Sequence, residues 1–313
     1  MKPLNLVPIK PDLNFIGRKR IFFIFSALLV ALAIGLFASR GLNFGIDFQG
    51  GILIEVRMSE GGKLSEMRTE LSDLGVGEVA LQEFGQPTDI LIRVQKQEGG
   101  EKAQQVAVEK VKTALGEGVQ YRRTEFVGPQ VSRELFRDGV IAVILAMVGI
   151  LAYIWFRFEW QFGLGAIIAL LHDVITTIGI FALTGLEFNL STVAAILTIA
   201  GYSINDTVVV YDRVRENLRK YKTMPLPELL NNSINETLSR TVMTSLTTML
   251  ALVSLYVLGG EVIRGFSFAL IWGVVIGTYS SICVAVPVLL HLNVNRGVQT
   301  SGGGRGEQPE PAE

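Results

Sequence analysis

Six runs of apolar residues, each long enough to cross a lipid bilayer, divide this sequence. A membrane-spanning helix needs roughly 20 mostly apolar residues. We place the predicted spans, in chain order, at residues 21–38, 138–156, 162–184, 190–211, 241–258 and 266–290. The composition agrees, because 49% of the residues are hydrophobic and only 18% are charged. The sequence therefore predicts a multi-pass α-helical membrane protein with six transmembrane helices.

The first apolar run has one feature of a secretory signal peptide, because Arg18, Lys19 and Arg20 precede it. The apolar core of a cleavable signal has roughly 7–15 residues, and this run is longer. Its exit reads FASRG and contains no A-x-A cleavage site. We expect this run to stay in the protein as its first membrane helix.

Lysine and arginine are concentrated on one side of the predicted spans. Segment 1–20 has five of them, and residues 212–222 have another five. Of the short loops on the opposite side, 185–189 has none and 259–265 has one. The positive-inside rule then predicts that both termini are cytosolic and that segment 40–137 lies outside.

Segment 40–137 is polar and is predicted to form a domain of its own. Alternating apolar residues indicate strands at 52–58, 79–84, 89–95 and 119–128, with a turn at GQPT, residues 85–88. Helical spacing indicates helices at 64–75 and 101–116. The order strand, helix, strand, strand, helix, strand predicts an inserted α+β domain of the ferredoxin-like, split βαβ type.

Two other polar segments flank the last two spans. Residues 212–239 are predicted to form a cytosolic loop, in which 226–238 has the apolar spacing of a short amphipathic helix. Such a helix lies at the membrane interface, or alternatively provides a docking surface for a partner. The tail 291–313 is predicted to be disordered, because its last part, residues 300–313, contains mainly Gly, Pro and acidic residues.

Three ionisable residues lie inside the predicted spans: His172 and Asp173 in the third, and Asp206 in the fourth. A charge at membrane depth costs at least ~2.5–3.5 kcal/mol, so such a residue needs a partner, a wet cavity or a bound proton. A protonatable acid that is reached from both faces in turn is the minimum part of a proton relay. The alternative is a neutral acid that is hydrogen-bonded between helices. Proton transfer is favoured for the acids, and neither alternative is favoured for His172.

Arg240 begins the fifth span on the side of the membrane where the fourth span brings Asp206. One hypothesis is that Arg240 pairs with Asp206 when that acid is ionised. The alternative is that it lies at the membrane boundary and only sets the topology. Stripes of small and polar residues in the third, fourth and fifth spans together predict close helix packing in a polar core around Asp206. The stripes consist of Gly165, Ala169, His172, Thr176 and Gly179 in the third span, Ala194, Thr198, Gly201 and Asn205 in the fourth, and Thr241, Thr244, Ser245, Thr247, Thr248 and Ala251 in the fifth.

The motif GIDFQGG, residues 45–51, opens the inserted domain. Gly45, Gly50 and Gly51 allow positive φ angles and close approach of the backbone, and Asp47 is a candidate acceptor for backbone hydrogen bonds. A rigid hinge between the first helix and the domain is the favoured interpretation. The motif is not a nucleotide-binding loop, because it lacks G-x-G-x-x-G and a P-loop lysine.

The sequence lacks the patterns of hydrolytic, metal and nucleotide sites. The single cysteine, Cys283, excludes a disulfide framework, and the net charge of −1 does not indicate a nucleic-acid partner. We expect no cofactor, no metal and no enzymatic activity. An intramembrane aspartyl protease built on Asp173, Asp206 and Tyr211-Asp212 is disfavoured because no G-x-G-D motif is present. A small-molecule exporter is disfavoured because the chain has six helices and one small domain.

Several motifs in this order resemble the SecD/SecF family of the resistance-nodulation-division (RND) superfamily. They are GIDFQGG (45–51), VGPQVSREL (127–135), LLHDV (170–174), GYSINDTVVVYDRVREN (201–217) and SINETLSRTVMTS (233–245). The resemblance covers residues 15–292 and implies a bacterial inner-membrane protein that works with SecD. The resemblance further implies that this chain and SecD act in the lipid membrane beside the SecYEG channel. SecA and YajC are implied as further partners, and a preprotein chain as the substrate.

The resemblance also implies roles for individual residues. Asp206 matches a membrane carboxylate that is implicated in proton flow driven by the proton-motive force, and Arg240 matches a basic residue implicated with it. Asp173 and His172 also match residues of the family, and together with Asn205 they are included in the predicted proton-coupling set. An accessory scaffold, in which the partner carries any essential proton path, is the alternative.

Overall fold

The computed structural model describes residues 11–59, 64–84, 86–116, 118–260, 263–292 and 294. The first ten residues of the predicted cytosolic segment 1–20, and nearly all of the predicted disordered tail 291–313, lie outside the described residues.

The described chain is an array of long helices with one small sheet inserted after the first. The helices are α1 (Lys19–Arg40), α2 (Ile46–Gln49), α3 (Leu64–Ser72), α4 (Gly100–Leu115), α5 (Pro129–Arg157), α6 (Trp160–Thr184), α7 (Leu190–Lys220), α8 (Leu226–Leu258), α9 (Arg264–Ser280) and α10 (Val286–Val288). The strands are β1 (Asn43–Phe44), β2 (Gly51–Met58), β3 (Val79–Phe84), β4 (Gln86–Val94), β5 (Val119–Val127) and β6 (Glu187–Phe188). Six helical stretches are long and apolar enough to cross a membrane, which confirms the predicted fold class.

The sixth span is irregular near its end. After α9 the chain continues through a π-helical turn at Ser281–Ala285 before the single turn of α10. Pro287 accounts for the irregularity, because proline has no backbone N–H to donate to a carbonyl in the preceding turn. Turns of this kind are frequent at functional sites.

The third, fourth and sixth spans form the buried centre of the helical part. In the most apolar stretches of α6, α7 and the sixth span, 56%, 56% and 72% of the residues are buried, against 11%, 11% and 6% for α1, α5 and α8. Gly277 of α9 permits this close packing because it has no side chain: a Cβ at this position would lie 3.1 Å from the Cβ of Ser203 on α7. The outer helices keep most of their apolar surface for lipid or for another protein.

The residues between α1 and α5 form the predicted α+β domain. β2 to β5 make one antiparallel sheet in the order β3-β4-β2-β5. Alternate residues of β2 and β4, including Ile52, Ile54, Ile90 and Ile92, are fully buried against Leu71 of α3. This strand order and connectivity are those of the ferredoxin-like motif predicted from the sequence.

The hairpin between β3 and β4 is tighter than predicted. The sequence analysis places the turn at residues 85–88, whereas β4 already begins at Gln86, which pairs with Phe84. The register shifts between Glu83 and Phe84, and this irregularity takes up residues that were assigned to the turn. Such an irregular register bends a strand locally. Because β4 already begins at Gln86, the predicted four-residue turn is wrong.

α7 and α8 extend well beyond the predicted fourth and fifth spans. α7 reaches Lys220 and α8 begins at Leu226, so most of the predicted loop 212–239 is helical. The predicted amphipathic helix 226–238 is the first part of α8, not a separate helix. Hydropathy marks where apolar residues stop, but a helix continues where polar residues with good helix propensity follow.

The apolar face of this first part of α8 is buried within the chain. Leu229 and Ile234 have no exposed surface and join the core formed with the end of α7. Asn235 Oδ1 accepts a hydrogen bond from the Leu13 amide at 3.0 Å, and its Nδ2 donates to the Leu13 carbonyl at 2.9 Å. The chain itself therefore covers the face that was predicted to meet the membrane surface or a partner.

Candidate functional site

Two carboxylic acids lie within the buried centre of the helical part, and the first is Asp173 on α6. Asp173 is 0% exposed. Its Oδ2 accepts hydrogen bonds from Ser203 Oγ at 2.6 Å and from Ser280 Oγ at 2.7 Å. Its Oδ1 lies 2.9 Å from Nδ1 of His172. Side chains from α6, α7 and α9 therefore meet at one carboxylate and satisfy its need for hydrogen bonds.

The sequence analysis identified Asp173 and His172 but missed the two serines. Ser203 lies on α7, and Ser280 is the last residue of α9, directly before the π-helical turn. Sequence spacing does not separate these serines from other small residues that only permit close packing. The one signal is that Ser203 precedes Asp206 by three residues, which places both on one helical face.

His172 connects this cluster to α1. Its Nε2 is buried without a hydrogen-bond partner among the described residues, and its ring centre lies 6.0 Å from that of Tyr279. The Tyr279 hydroxyl lies 2.9 Å from Ser26 Oγ and donates to the Phe22 carbonyl at 3.0 Å. A packed array of polar groups thus extends from α6 through α9 to α1.

The second carboxylic acid, Asp206, lies on α7 about one turn after Ser203. Asp206 is only 3% exposed, yet its Oδ2 has no hydrogen-bond partner in the part of the chain that the structure describes. On the neighbouring helix α8, Oγ1 of Thr241 is also buried and unpaired. A buried, unpaired carboxylate oxygen is costly in a low dielectric. Asp206 can therefore gain or lose a proton without breaking hydrogen bonds at this oxygen, in contrast to Asp173.

Arg240 lies on α8, next to Thr241, and is exposed. Within the described ranges, no ion pair joins Arg240 to Asp206. The pairing of Arg240 with the ionised acid stays a prediction.

Asn205 and the other residues of the small stripe on α7 face outward. Ala194, Thr198, Gly201 and Asn205 are all exposed, so the prediction of close packing inside the chain is wrong for this stripe. The stripe predicted on the third span is buried, and its residues are Gly165, Ala169, His172, Thr176 and Gly179. An α-helix has 3.6 residues per turn, so neighbours such as residues 205 and 206 face different directions. The acid faces the buried centre and the stripe on α7 faces away from it.

The motif GIDFQGG lies where the inserted domain meets the helical part. Asp47 Oδ2 accepts a hydrogen bond from the backbone amide of Leu190, the first residue of α7, at 2.9 Å. The backbone hydrogen bond expected at this junction is therefore present. Its donor lies at the N-terminus of the helix that carries Asp206, where a negative charge is favoured by the helix dipole.

Two glycines of the motif have the positive φ angles predicted for them. Gly50 has φ 73° and Gly51 has φ 122°, and a Cβ on Gly51 would lie 2.6 Å from the carbonyl oxygen of Val94. Gly45 has an ordinary φ of −73°, so the prediction of positive φ is wrong there. A side chain on Gly45 would nevertheless collide with that of Glu187, which agrees with the predicted close approach.

A second connection, which the sequence analysis missed, joins the inserted domain to the segment before α7. Arg93 of β4 donates to Glu187 Oε2 at 2.6 Å and to Asn43 Oδ1 at 2.8 Å. Asn43 and Glu187 pair with each other in the two-stranded parallel sheet of β1 and β6. The sheet of the domain is therefore attached directly to the chain that enters α7.

The geometry gives no support to a protease or a metal site. Asp212 is ion-paired with Arg157 at 2.8 Å, and both oxygens of Asp173 are engaged. An aspartyl dyad instead needs two carboxylates close enough to share a proton. In the residues that the structure describes, no group of three His, Cys, Asp or Glu side chains could hold a metal ion.

Two known families match this chain. The family described as protein export membrane protein SecD/SecF, C-terminal, matches residues 107–295, which include Asp173, Asp206 and Arg240. The SecD/SecF GG motif matches residues 35–61, which include GIDFQGG.

Similar proteins have the same family name. The chain is 47% identical over 291 residues to protein translocase subunit SecF of Rickettsia felis, covering 92% of this chain and 94% of that protein. It is 47% identical over 303 residues to protein translocase subunit SecF of Cereibacter sphaeroides, covering 94% of each. The crystal structure of SecDF, a translocon-associated membrane protein from Thermus thermophilus, is 38% identical with a TM-score of 0.84 and covers 92% of this chain. The chain spans only 39% of that SecDF chain.

Proposed function

The chain belongs to the SecD/SecF family of protein export membrane proteins, and from this premise we propose that it couples the proton-motive force to preprotein translocation across the inner membrane. Asp206 is the group whose protonation changes in this proposal, and Arg240 stabilises its ionised form. The coupling acts on preproteins after the SecA ATPase has worked on them and serves the completion of export.

One observation carries the proposal: Asp206 is buried in a membrane-spanning helix, and one of its carboxylate oxygens has no hydrogen-bond partner within the described ranges. An ionised acid at membrane depth costs at least ~2.5–3.5 kcal/mol, and binding a proton removes that cost. The energy of the helix arrangement around Asp206 therefore depends on whether the proton is bound. A proton gradient can therefore shift the helices around Asp206 from one packing arrangement to another.

Asp173, His172 and Asn205 have supporting roles in this proposal. The hydrogen bonds of Asp173 hold α6, α7 and α9 together around Asp206, and His172 extends the polar array towards α1. Asn205 lies beside Asp206 in the chain and is exposed. It is positioned to line the proton path where that path meets a partner subunit.

The inserted domain is attached to the same helix that carries Asp206. Asp47 accepts a hydrogen bond from Leu190 at the start of α7, and Arg93 binds Glu187 just before it. A shift of α7 that accompanies protonation is then passed to the inserted domain. The distribution of lysine and arginine supports a periplasmic position for this domain and cytosolic termini.

SecD is the proposed partner at the exposed face of α7 and α8. Asn205 and Arg240 on this face are exposed, and lipid cannot satisfy the hydrogen bonds of such side chains. The small residues of the stripe on α7 allow another helix to approach closely. The related SecDF structure, of which this chain spans 39%, supports a unit that a separate SecD subunit completes.

The wider partners in this proposal are the SecYEG channel, SecA, YajC and the preprotein chain. All are macromolecules of the export machinery in a bacterial inner membrane, and none is a nucleic acid. The proposal gives the chain no catalytic residue and no cofactor, because the transported proton and the preprotein are its only substrates.

The test is preprotein translocation into inverted membrane vesicles that contain this chain and SecD, with and without a proton-motive force. Asp206→Asn keeps the shape of the side chain and removes its ability to ionise. Asp212→Asn is the matched control, because Asp212 lies on the same helix with 42% of its side chain exposed. We expect Asp206→Asn to lose the force-dependent part of translocation and Asp212→Asn to keep it, with assembly of the complex unchanged in both.

An unchanged force-dependent part in Asp206→Asn would contradict the proposal. The chain would then be better described as an accessory scaffold that stabilises SecD and the channel while the partner carries the proton path.

A further inference from the structure

A basic pocket lies at the end of the helical part opposite the inserted domain. This cavity of about 520 Å³ lies between the ends of α5 and α7 and is lined by Arg157, Asp212, Arg215, Glu216, Arg219 and Lys220. Four of these side chains are basic and two are acidic. The proposed proton path uses none of them, so the pocket needs a separate explanation.

Both acids at the pocket are already engaged by arginines. The two carboxylate oxygens of Asp212 lie 2.8 Å from Nη2 of Arg157. Glu216 accepts a hydrogen bond at 2.9 Å from Arg213, which is not one of the residues lining the pocket. Among the described residues, Arg219 is exposed and has no ion pair. The pocket therefore keeps a positive charge that no carboxylate in the described part of the chain neutralises.

Aromatic side chains place this pocket at the level of the lipid headgroups. The guanidinium groups of Arg157 and Arg215 lie 4.9 Å and 5.3 Å from the ring centre of Phe158, a contact that holds both cations in place. Trp155 and Trp160 are 71% and 55% exposed and lie within three residues of Arg157. Exposed tryptophans beside arginine at a helix end are typical of the interface between membrane and water.

We propose that the pocket binds the phosphate group of an anionic phospholipid, whose acyl chains lie along Trp155 and Trp160. Arginine side chains match the geometry of phosphate oxygens, and basic pockets between membrane helices bind acidic lipid headgroups. The exposed aromatic rim fits a ligand with an apolar part, which a free phosphate ion lacks. A lipid in this position joins the end of α7 to the end of α5.

Tryptophan fluorescence provides the test. The chain has three tryptophans, and Trp272→Phe leaves Trp155 and Trp160 as the reporters. The full chain in a nonionic detergent is titrated with phosphatidylglycerol or phosphatidylcholine that carries brominated acyl chains, because bromine quenches tryptophan on contact. We expect phosphatidylglycerol to quench at lower concentration. Arg219→Gln removes one exposed charge and is expected to weaken its apparent affinity about fivefold.

Arg20→Gln is the control, because Arg20 is an exposed cation at the start of α1, at the same end of the helical part but not among the pocket residues. Equal quenching by the two lipids, or an equal loss in Arg20→Gln and Arg219→Gln, would overturn the proposal in favour of general surface charge. Inorganic phosphate is the third arm. Displacement of the brominated phosphatidylglycerol by an equal concentration of phosphate would identify a site for free anions and would also overturn the lipid assignment.

Discussion

Asp173 and Asp206 lie in two regions of one buried helix cluster, and the two regions differ in the hydrogen bonds that they provide to the carboxylate. Asp173 accepts hydrogen bonds from two serine hydroxyls and lies against His172. Asp206 is almost as deeply buried but has an oxygen with no partner. Burial alone therefore does not separate an acid that stabilises the fold from one suited to proton exchange. The degree of hydrogen bonding does.

This difference has a physical consequence for protonation. The donors around Asp173 are fixed on three helices, so a change at this carboxylate disturbs all of them. At Asp206 one carboxylate oxygen has no partner among the described residues, and Arg240 is the counter-charge that we propose for it. A proton added to Asp206 therefore changes the electrostatic energy of the bundle while fewer contacts are broken, which is what a switch between two packings requires.

Asp173→Ala is the substitution that we expect to have the largest effect on stability. The substitution removes the hydrogen bonds that Asp173 makes with Ser203, Ser280 and His172. Hydrogen bonds inside membrane proteins average about 0.6 kcal/mol and reach about 1.7 kcal/mol, so losing three should cost roughly 2–4 kcal/mol. Thermal unfolding of the purified full chain measures the loss. An equal loss in Asp206→Ala would show that the two sites do not differ.

Asp89 in the inserted domain is a third buried acid, and unlike Asp206 it has a hydrogen-bond donor on each carboxylate oxygen. Arg57 donates to its two oxygens at 2.6 Å and 2.7 Å, and this hydrogen bonding lowers the pKa of Asp89 below its ordinary value of 3.8. An acid with a lowered folded-state pKa stabilises the fold above its ordinary pKa, and the contribution is lost as the pH falls through the lowered value.

The stability of the inserted domain should therefore decrease below about pH 4. Asp89→Asn should remove most of that acid dependence, and it should be less stable than the unmodified chain at neutral pH. Thermal unfolding followed from about pH 7 down to about pH 3 measures both effects. The same acid dependence in the two proteins would mean that other carboxylates cause it.

Asp47→Ala tests the connection between the inserted domain and the helix of Asp206. Loss of a carboxylate that accepts a hydrogen bond at a helix N-terminus costs about 0.5–2 kcal/mol, and we expect a value near the lower end because this contact is exposed. Combined with Arg93→Gln, it should lower force-dependent translocation although Asp206 is intact. Asp73→Ala, at an exposed acid of the same domain, is the control. Full translocation in the double variant would show that this connection does not transmit the coupling.

Asp206→Asn should have the smallest effect on stability, within about 0.5 kcal/mol, because its unpaired oxygen has no hydrogen bond to lose. The midpoint of thermal unfolding should match that of the unmodified chain even where force-dependent translocation is lost. A large decrease in the midpoint would place Asp206 in the same class as Asp173.

The features that the sequence predicted correctly depend on local patterns. Apolar runs of membrane length mark the six spans, and apolar alternation marks the strands of the inserted domain. The acids Asp173 and Asp206 are recognisable because ionisable residues are rare at membrane depth. Each of these signals is contained in a short window of the chain.

The features that the sequence did not predict depend on packing between distant segments. Ser203 and Ser280 donate hydrogen bonds to Asp173 only because α7 and α9 pack against α6. Arg93 binds Glu187 although the two residues are 94 positions apart in the sequence. The outward direction of the stripe around Gly201 follows from the same packing, which spacing alone does not determine. The length of α7 was underestimated because hydropathy stops at the last apolar residue.

The most direct test of the contrast between the two acids is infrared difference spectroscopy of the full chain with SecD in lipid, recorded between acidic and neutral pH. The band of interest belongs to the protonated carboxyl group. We expect the difference band of the protonated carboxyl group to be present in the unmodified protein and in Asp173→Asn, and to be absent from Asp206→Asn. A spectrum of Asp206→Asn that is identical to that of the unmodified protein would contradict the claim that Asp206 exchanges a proton.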